Sequence, residues 1–290
     1  MFKGTFVALI TPFKNNEVDY ATLEKLVDMH IKAGISGIVP CGTTGESPTL
    51  SHEEHDQVIA HVIKRAKGKL HVMAGTGSNS TAEAIRLTQH AEKNGADSAL
   101  IVAPYYNKPT QEGLYRHYKA IAENTALPIV IYNIPGRCGV EISSETIARL
   151  AQIKNIRAVK HATGSMDGAS ALRTMCDIDI LSGDDSMTLP LMSIGGTGVI
   201  SVIANIVPQD TKSLTDAALS GDFKTAEILH RKQFALAKGM LSLATNPIPV
   251  KTAMAMLGLC SDELRLPLWP MDDNLKHKLR STLVEYGLLK

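Results

Sequence analysis

Eight short apolar runs, most of them followed by a segment of helical periodicity, constrain this chain more than any other feature. They begin near Phe6, Gly37, Leu70, Ser98, Pro128, Ile156, Asp179 and Gly198. Strands hidden on both faces read as continuous apolar stretches rather than as alternation. Strand then helix, repeated eight times, predicts a closed parallel barrel of the (β/α)8, or TIM-barrel, kind within the α/β class. The helices carry their own punctuation: Leu23, Leu26, Val27 and Ile31 form one stripe ending at Gly34, while Ser51 with Glu54 and Ser80 with Glu83 have capping-box spacing. After about Pro208 the strand signals stop, and Asp222 to Ala244, Ile248 to Leu259 and Asp272 to Tyr286 read only as helices. The expected division is a barrel over 1–223 and a C-terminal helical extension over 224–290, the latter a structural cap or subunit contact.

Composition narrows the partners. With 30 basic and 29 acidic residues the formal charge is +1, and no basic run stands above the background. Nucleic acid and anionic membranes are therefore not expected, and small molecules are. The start of the chain lacks the charged region, long apolar core and cleavage site of a secretory leader, and no apolar run approaches ~18 residues, so a cytoplasmic location is expected. Cys41, Cys138, Cys176 and Cys260 lie far apart without a Cys-x-x-Cys pair. That pattern fits reduced thiols rather than a disulfide framework or a zinc site.

In such barrels the chemistry sits at the carboxyl ends of the strands. The second run ends in Pro40-Cys-Gly-Thr-Thr-Gly-Glu46, the fourth in Pro104-Tyr-Tyr-Asn-Lys-Pro109, the fifth in Tyr132-Asn-Ile-Pro-Gly-Arg137 and the seventh in Ser182-Gly-Asp-Asp185. The sixth, Ile156-Arg-Ala-Val-Lys-His-Ala-Thr163, carries Lys160. A lysine in a buried strand either snorkels to solvent or loses its proton, and a neutral amine is the form that attacks a carbonyl. Hydroxyls, an arginine, glycines and a lysine converging on one rim favour the second reading.

A Schiff-base reaction needs a neutral amine, a proton shuttle and a cradle for the substrate's carboxylate. Gly42 and Gly45 around Thr43 and Thr44 allow successive backbone N–H groups to face an anion, although the same motif also makes a tight strand-to-helix turn. Tyr132 stands where its phenol faces the lysine, and Arg137 offers a planar fork to a second carboxylate. No His and carboxylate set marks a metal site on this rim, and no cofactor is expected.

These segments, with Gly198-Val-Ile-Ser201 and Asn246-Pro-Ile-Pro-Val-Lys251, occur in the order and at the spacing of the dihydrodipicolinate synthase family, which the chain resembles from Gly4 to its C-terminal helices. The resemblance implies that pyruvate forms a Schiff base on Lys160 and that its enamine attacks L-aspartate 4-semialdehyde, in diaminopimelate and lysine synthesis. It implies a proton-relay triad of Thr43, Tyr132 and Tyr106, with Tyr106 reaching in from a neighbouring subunit of a homo-oligomer, usually a tetramer built as a dimer of dimers. Thr44 would hold the pyruvate carboxylate, Gly183 and Ile200 would line the pocket with backbone groups, and Arg137 would grip the aldehyde's carboxylate. Sialic-acid lyases and 2-keto-3-deoxy sugar-acid aldolases share the barrel and the lysine but usually lack that arginine. From another class, a non-catalytic barrel kept as a ligand sensor is the alternative.

Ser47, His52, His55, Asn79, Glu83 and Tyr105 match positions that bind L-lysine in feedback-inhibited members. Two departures stand out: Pro48 replaces a small residue of sensitive members, and His161 takes the place of an acid after the lysine, expected to point away from the pocket. Other motifs do not hold. His52-Glu-Glu-His55 has the wrong histidine spacing for a metalloprotease helix, and the Gly75-Thr-Gly77 turn lacks the third glycine and a correctly placed acid for a dinucleotide site.

Overall fold

The computed structural model describes residues 2–290, and its strands close into one parallel barrel. The strands are β1 (Gly4–Ala8), β2 (Gly37–Val39), β3 (His71–Gly75), β4 (Ser98–Val102), β5 (Ile129–Asn133), β6 (Ile156–His161), β7 (Asp179–Ser182) and β8 (Gly198–Ser201). Each pairs with the next, and β1 closes the ring by pairing Gly4 with Gly198 on one side and Phe6 with Gly37 on the other. Eight helices alternate with them: α1 (Tyr20–Ala33), α2 (His52–Ala66), α3 (Thr81–Asn94), α4 (Gln111–Glu123), α5 (Ser144–Leu150), α6 (Met166–Met175), α7 (Thr188–Ser193) and α8 (Pro208–Leu219). The helical extension consists of α9 (Phe223–Ser242), α10 (Ile248–Met256) and α11 (Asp273–Tyr286).

Strand parity decides what faces inward, because successive side chains leave a strand on opposite faces. Phe6, Met73, Leu100, Val130, Tyr132, Ala158, Leu181 and Ile200 form the packed barrel interior. Ile129, Ile131, Val159 and Ile180 instead join the layer between sheet and helices. Lys160 has the parity of Ala158, so it enters the barrel. His161 has the opposite parity; it is buried, and its Nε2 lies 3.2 Å from Thr163 Oγ1.

The helix boundaries follow local chemistry. Asp19 caps α1 by accepting from the Thr22 N–H, and Gly34 ends it with φ 66°, a left-handed conformation that glycine adopts without penalty. Ser51 and Glu54 form the anticipated reciprocal box at α2. The box expected at Ser80 and Glu83 does not form, since the Ser80 side chain accepts no cap hydrogen bond. The Glu83 carboxylate is drawn off to Ser78 Oγ, which donates to it, and to His52 Nε2 at 3.0 Å.

Among the short elements that escaped the sequence reading is a small antiparallel hairpin pairing Phe13–Lys14 with Glu17–Val18. Asn15 and Asn16 turn it with φ of 54° and 64°, as a two-residue hairpin loop demands. It lies against the extension: Lys251 Nζ sits 4.1 Å and Arg265 Cζ 4.4 Å from the centroid of the Phe13 ring.

Candidate active site

Tyr132 on β5 and Lys160 on β6 are register partners, and both project into the barrel near its carboxyl end. Lys160 is only 5% exposed, so it does not snorkel, and its Nζ lies 4.1 Å from the centroid of the Tyr132 ring. Burial pulls its pKa down to about 7; Asp185 opposes that pull and Arg137 adds to it. The amine is thus substantially neutral near pH 7. Gly183 makes room for it: a Cβ there would stand 3.1 Å from Lys160 Cε and 2.6 Å from the Ala162 side chain.

Burial pushes the Tyr132 phenol up to about 12, while Arg137 and a hydrogen bond with the Thr43 side chain work against the shift. Tyr132 is therefore a neutral hydroxyl, paired with Thr43. Thr44, buried beside it, accepts a hydrogen bond at Oγ1 from Asn246 Nδ2 at 3.0 Å. Arg137, on the single helical turn Pro135–Cys138, donates from Nη2 to the Asn246 backbone oxygen at 2.9 Å. Ile200 lies wholly in the barrel interior.

The Gly42-to-Glu46 turn is closed by its own backbone on its Glu46 side. The N–H groups of Gly45 and Ser47 donate to the Gly42 oxygen, and that of Glu46 to the Thr43 oxygen, so these donors are spent within the turn. Gly45 is required for closeness, because a Cβ would lie 3.0 Å from Cys41 N and 3.1 Å from Leu9 O. Cys41 and Glu46 flank the turn with φ of 54° and 55°, the left-handed region in which non-glycine residues are strained.

Tyr106 is not part of this constellation within the chain. Its side chain is 89% exposed on a loop where its own φ is 73°.

A cavity of about 440 Å³ joins the two clusters anticipated from the sequence. Thr43, Tyr132 and Arg137 line one part, and Ser47, His52, His55, Glu83 and Tyr105 another. Lys160 is not among its lining residues; Tyr132 is. In the second cluster, burial lifts the Tyr105 phenol and the Glu83 charge adds to the lift, while hydrogen bonds with the Asn79 backbone and Ser78 side chain oppose it. His55 turns inward with Nε2 3.0 Å from the Gly75 oxygen, and burial drops its pKa to about 4. It is neutral at pH 7, whereas His52 is exposed on the rim.

Two groups lacked a role in the sequence reading. Asp185 is buried, and its Oδ2 accepts from the N–H groups of Val202 at 2.9 Å and Ile203 at 3.1 Å. Asn246 bridges Thr44 and Arg137. Both lie in motifs visible in the sequence, but nothing in their spacing shows what they touch.

A buried amine with a pKa near 7 at a strand's carboxyl end inside a (β/α)8 barrel, with a phenol and a hydroxyl at hand, is the arrangement that carbonyl chemistry through a lysine requires. The sequence model of the Dihydrodipicolinate synthetase family matches residues 1–286, and the chain belongs to that family. It is 52% identical over 291 residues to the 4-hydroxy-tetrahydrodipicolinate synthase of Syntrophus aciditrophicus (strain SB), and 53% identical over 291 residues to that of Geotalea daltonii, covering 100% of every chain. Among solved structures, dihydrodipicolinate synthase from Aquifex aeolicus shares 51% identity with a TM-score of 0.97 over 99% of both chains. The chloride-inhibited synthase of Acinetobacter baumannii complexed with pyruvate shares 46% identity at 0.96 over 100% of both chains. The synthase of Cyanidioschyzon merolae with lysine bound shares 38% at 0.96 over 99% of both.

Proposed function

We propose that the chain condenses pyruvate with L-aspartate 4-semialdehyde to 4-hydroxy-tetrahydrodipicolinate, with Lys160 forming the covalent intermediate. The observation that carries this reading is the buried Lys160 amine, with a pKa near 7, against Tyr132 and its Thr43 partner. The neutral amine adds to the ketone carbon of pyruvate. The Tyr132–Thr43 pair passes the proton that lets hydroxide leave the carbinolamine as water. Loss of a methyl proton from the imine gives an enamine, whose carbon attacks the aldehyde. The substrate's amino group then displaces Lys160 from the former ketone carbon, closing the ring and freeing the enzyme. One water is lost overall, the one expelled at imine formation.

Thr44 holds the pyruvate carboxylate, with backbone groups of Gly183 and Ile200 along the same wall, and Arg137 takes the carboxylate of the aldehyde. Tyr106 completes the relay from a neighbouring subunit of a tetramer, a reading supported by its outward, exposed side chain. L-lysine is the expected inhibitor, held by Ser47, His52, His55, Asn79, Glu83 and Tyr105. The His52–Glu83 contact and the lysine-bound relative support that assignment.

The test supplies pyruvate with aspartate semialdehyde, N-acetylmannosamine or a sugar aldehyde and compares kcat/KM. Preference for aspartate semialdehyde is expected; preference for either of the others overturns the reading.

A further inference from the structure

The extension reaches the catalytic turn through a buried ion pair. Glu46 Oε1 meets Lys251 Nζ at 2.5 Å, and both side chains are 0% exposed. Lys251 lies on α10, 205 residues from its partner in sequence. Its Nζ also donates to the Glu263 backbone oxygen at 2.8 Å, and the other Glu46 oxygen accepts from the Arg265 N–H at 3.2 Å. Arg265 goes on to donate to the Thr49 oxygen and to both oxygens of Glu54, so the segment entering α2 is held from the same side.

Glu46 closes a turn in which its own N–H binds the Thr43 oxygen, and it does so at φ 55°. A non-glycine residue persists there only when its surroundings overdetermine it. The surroundings here are the Lys251 ammonium and the Arg265 amide, both from the extension. Replacing a buried ion pair with neutral groups is often tolerated or stabilising, so stability alone does not account for it.

We propose that the Glu46–Lys251 pair is a positioning element that fixes the turn so that the Thr43 hydroxyl meets Tyr132 and Thr44 faces the substrate. Neither residue touches substrate; they act through Thr43 and Thr44. This inference rests on the proposed function, because it assigns those threonines their work. It also makes the helical extension part of the catalytic apparatus rather than only a cap.

The experiment compares the double variant Glu46→Gln with Lys251→Met, and the single variant Glu46→Asp, with the wild-type chain. The double removes both buried charges together, whereas Glu46→Asp keeps the pair and draws the turn out of place by one methylene. Measured for each are the melting temperature, the end point of pyruvate trapping on Lys160 by borohydride, and kcat and KM per trapped site. Expected are a near wild-type end point, a kcat lower by about 10- to 100-fold and a raised pyruvate KM, since displacement of about 1 Å costs up to about that much. A melting temperature within a few degrees of wild type should accompany the loss. A kcat within about twofold of wild type in the folded variants overturns the positioning role, and if the double does not fold, Glu46→Asp decides alone. If wild-type protein itself traps no pyruvate on Lys160, the functional reading fails instead, and the two failures are told apart before any variant is compared.

Discussion

Lys160 and Tyr132 face one another across the β5–β6 ladder, with the amine 4.1 Å from the ring centroid. Two effects compete there. The ring face favours the ammonium by about 0.5–2 kcal/mol, whereas burial disfavours it. Burial wins, leaving the pKa near 7 rather than at the ordinary 10.5. Imine formation should therefore fall about tenfold per pH unit below about 7 and level off above it, as stopped-flow mixing with pyruvate would show.

The same shift carries a stability consequence. Between pH about 7 and 10.5 the amine is neutral when folded and charged when unfolded, so unfolding takes up a proton. Stability contributed by this site therefore rises with pH through that window. Lys160→Met should abolish activity yet raise the melting temperature by a few degrees at pH 7, with the gain fading toward pH 10.5. Calorimetry at several pH values checks the slope.

Tyr132→Phe removes the phenol while leaving the ring that packs in the barrel interior. The kcat should fall by about 10²- to 10⁴-fold with little change in melting temperature, the usual range for a lost proton shuttle. A loss below about threefold would remove Tyr132 from the relay.

Arg137→Ala should lower kcat/KM for the aldehyde by about 10²-fold, since charge-assisted pairing is lost, while pyruvate adducts still form. Arg137 also depresses the Lys160 pKa, so the pH profile of adduct formation should move to higher pH. Failure to form the adduct would mean that Arg137 serves the first substrate instead.

Tyr106, outward-facing and 89% exposed, sets up a mixing test. A mixed dimer of Tyr106→Phe and Lys160→Ala chains contains one intact site if Tyr106 acts across the interface, and none if it acts within its own chain. Activity regained on mixing two inactive variants is the expected outcome; no recovery in verified mixed dimers contradicts it.

Much of the fold was legible because fully buried strands announce themselves as apolar runs. All eight anticipated starts lie within two residues of a barrel strand, from Phe6 against Gly4 to Gly198 itself. Lys160 was legible for the converse reason, being the one charge at the inward end of such a run. The hairpin at Asn15 and Asn16 was not, since two-residue strands carry almost no periodicity. Glu83 was expected to cap its helix, but its carboxylate serves His52 and Ser78, a tertiary demand that local spacing does not encode. The link from Glu46 to Lys251 was equally silent. Partners so far apart in the chain leave no local pattern, and the extension was expected only to cap the barrel or to meet a subunit.

The central claim is tested most directly by reducing the protein with borohydride in the presence of pyruvate and mapping the adduct by mass spectrometry, with Lys160→Ala in parallel. One pyruvate-derived adduct per chain on Lys160, absent from the variant, is the predicted result. No stable adduct, or an adduct on another lysine, would contradict it.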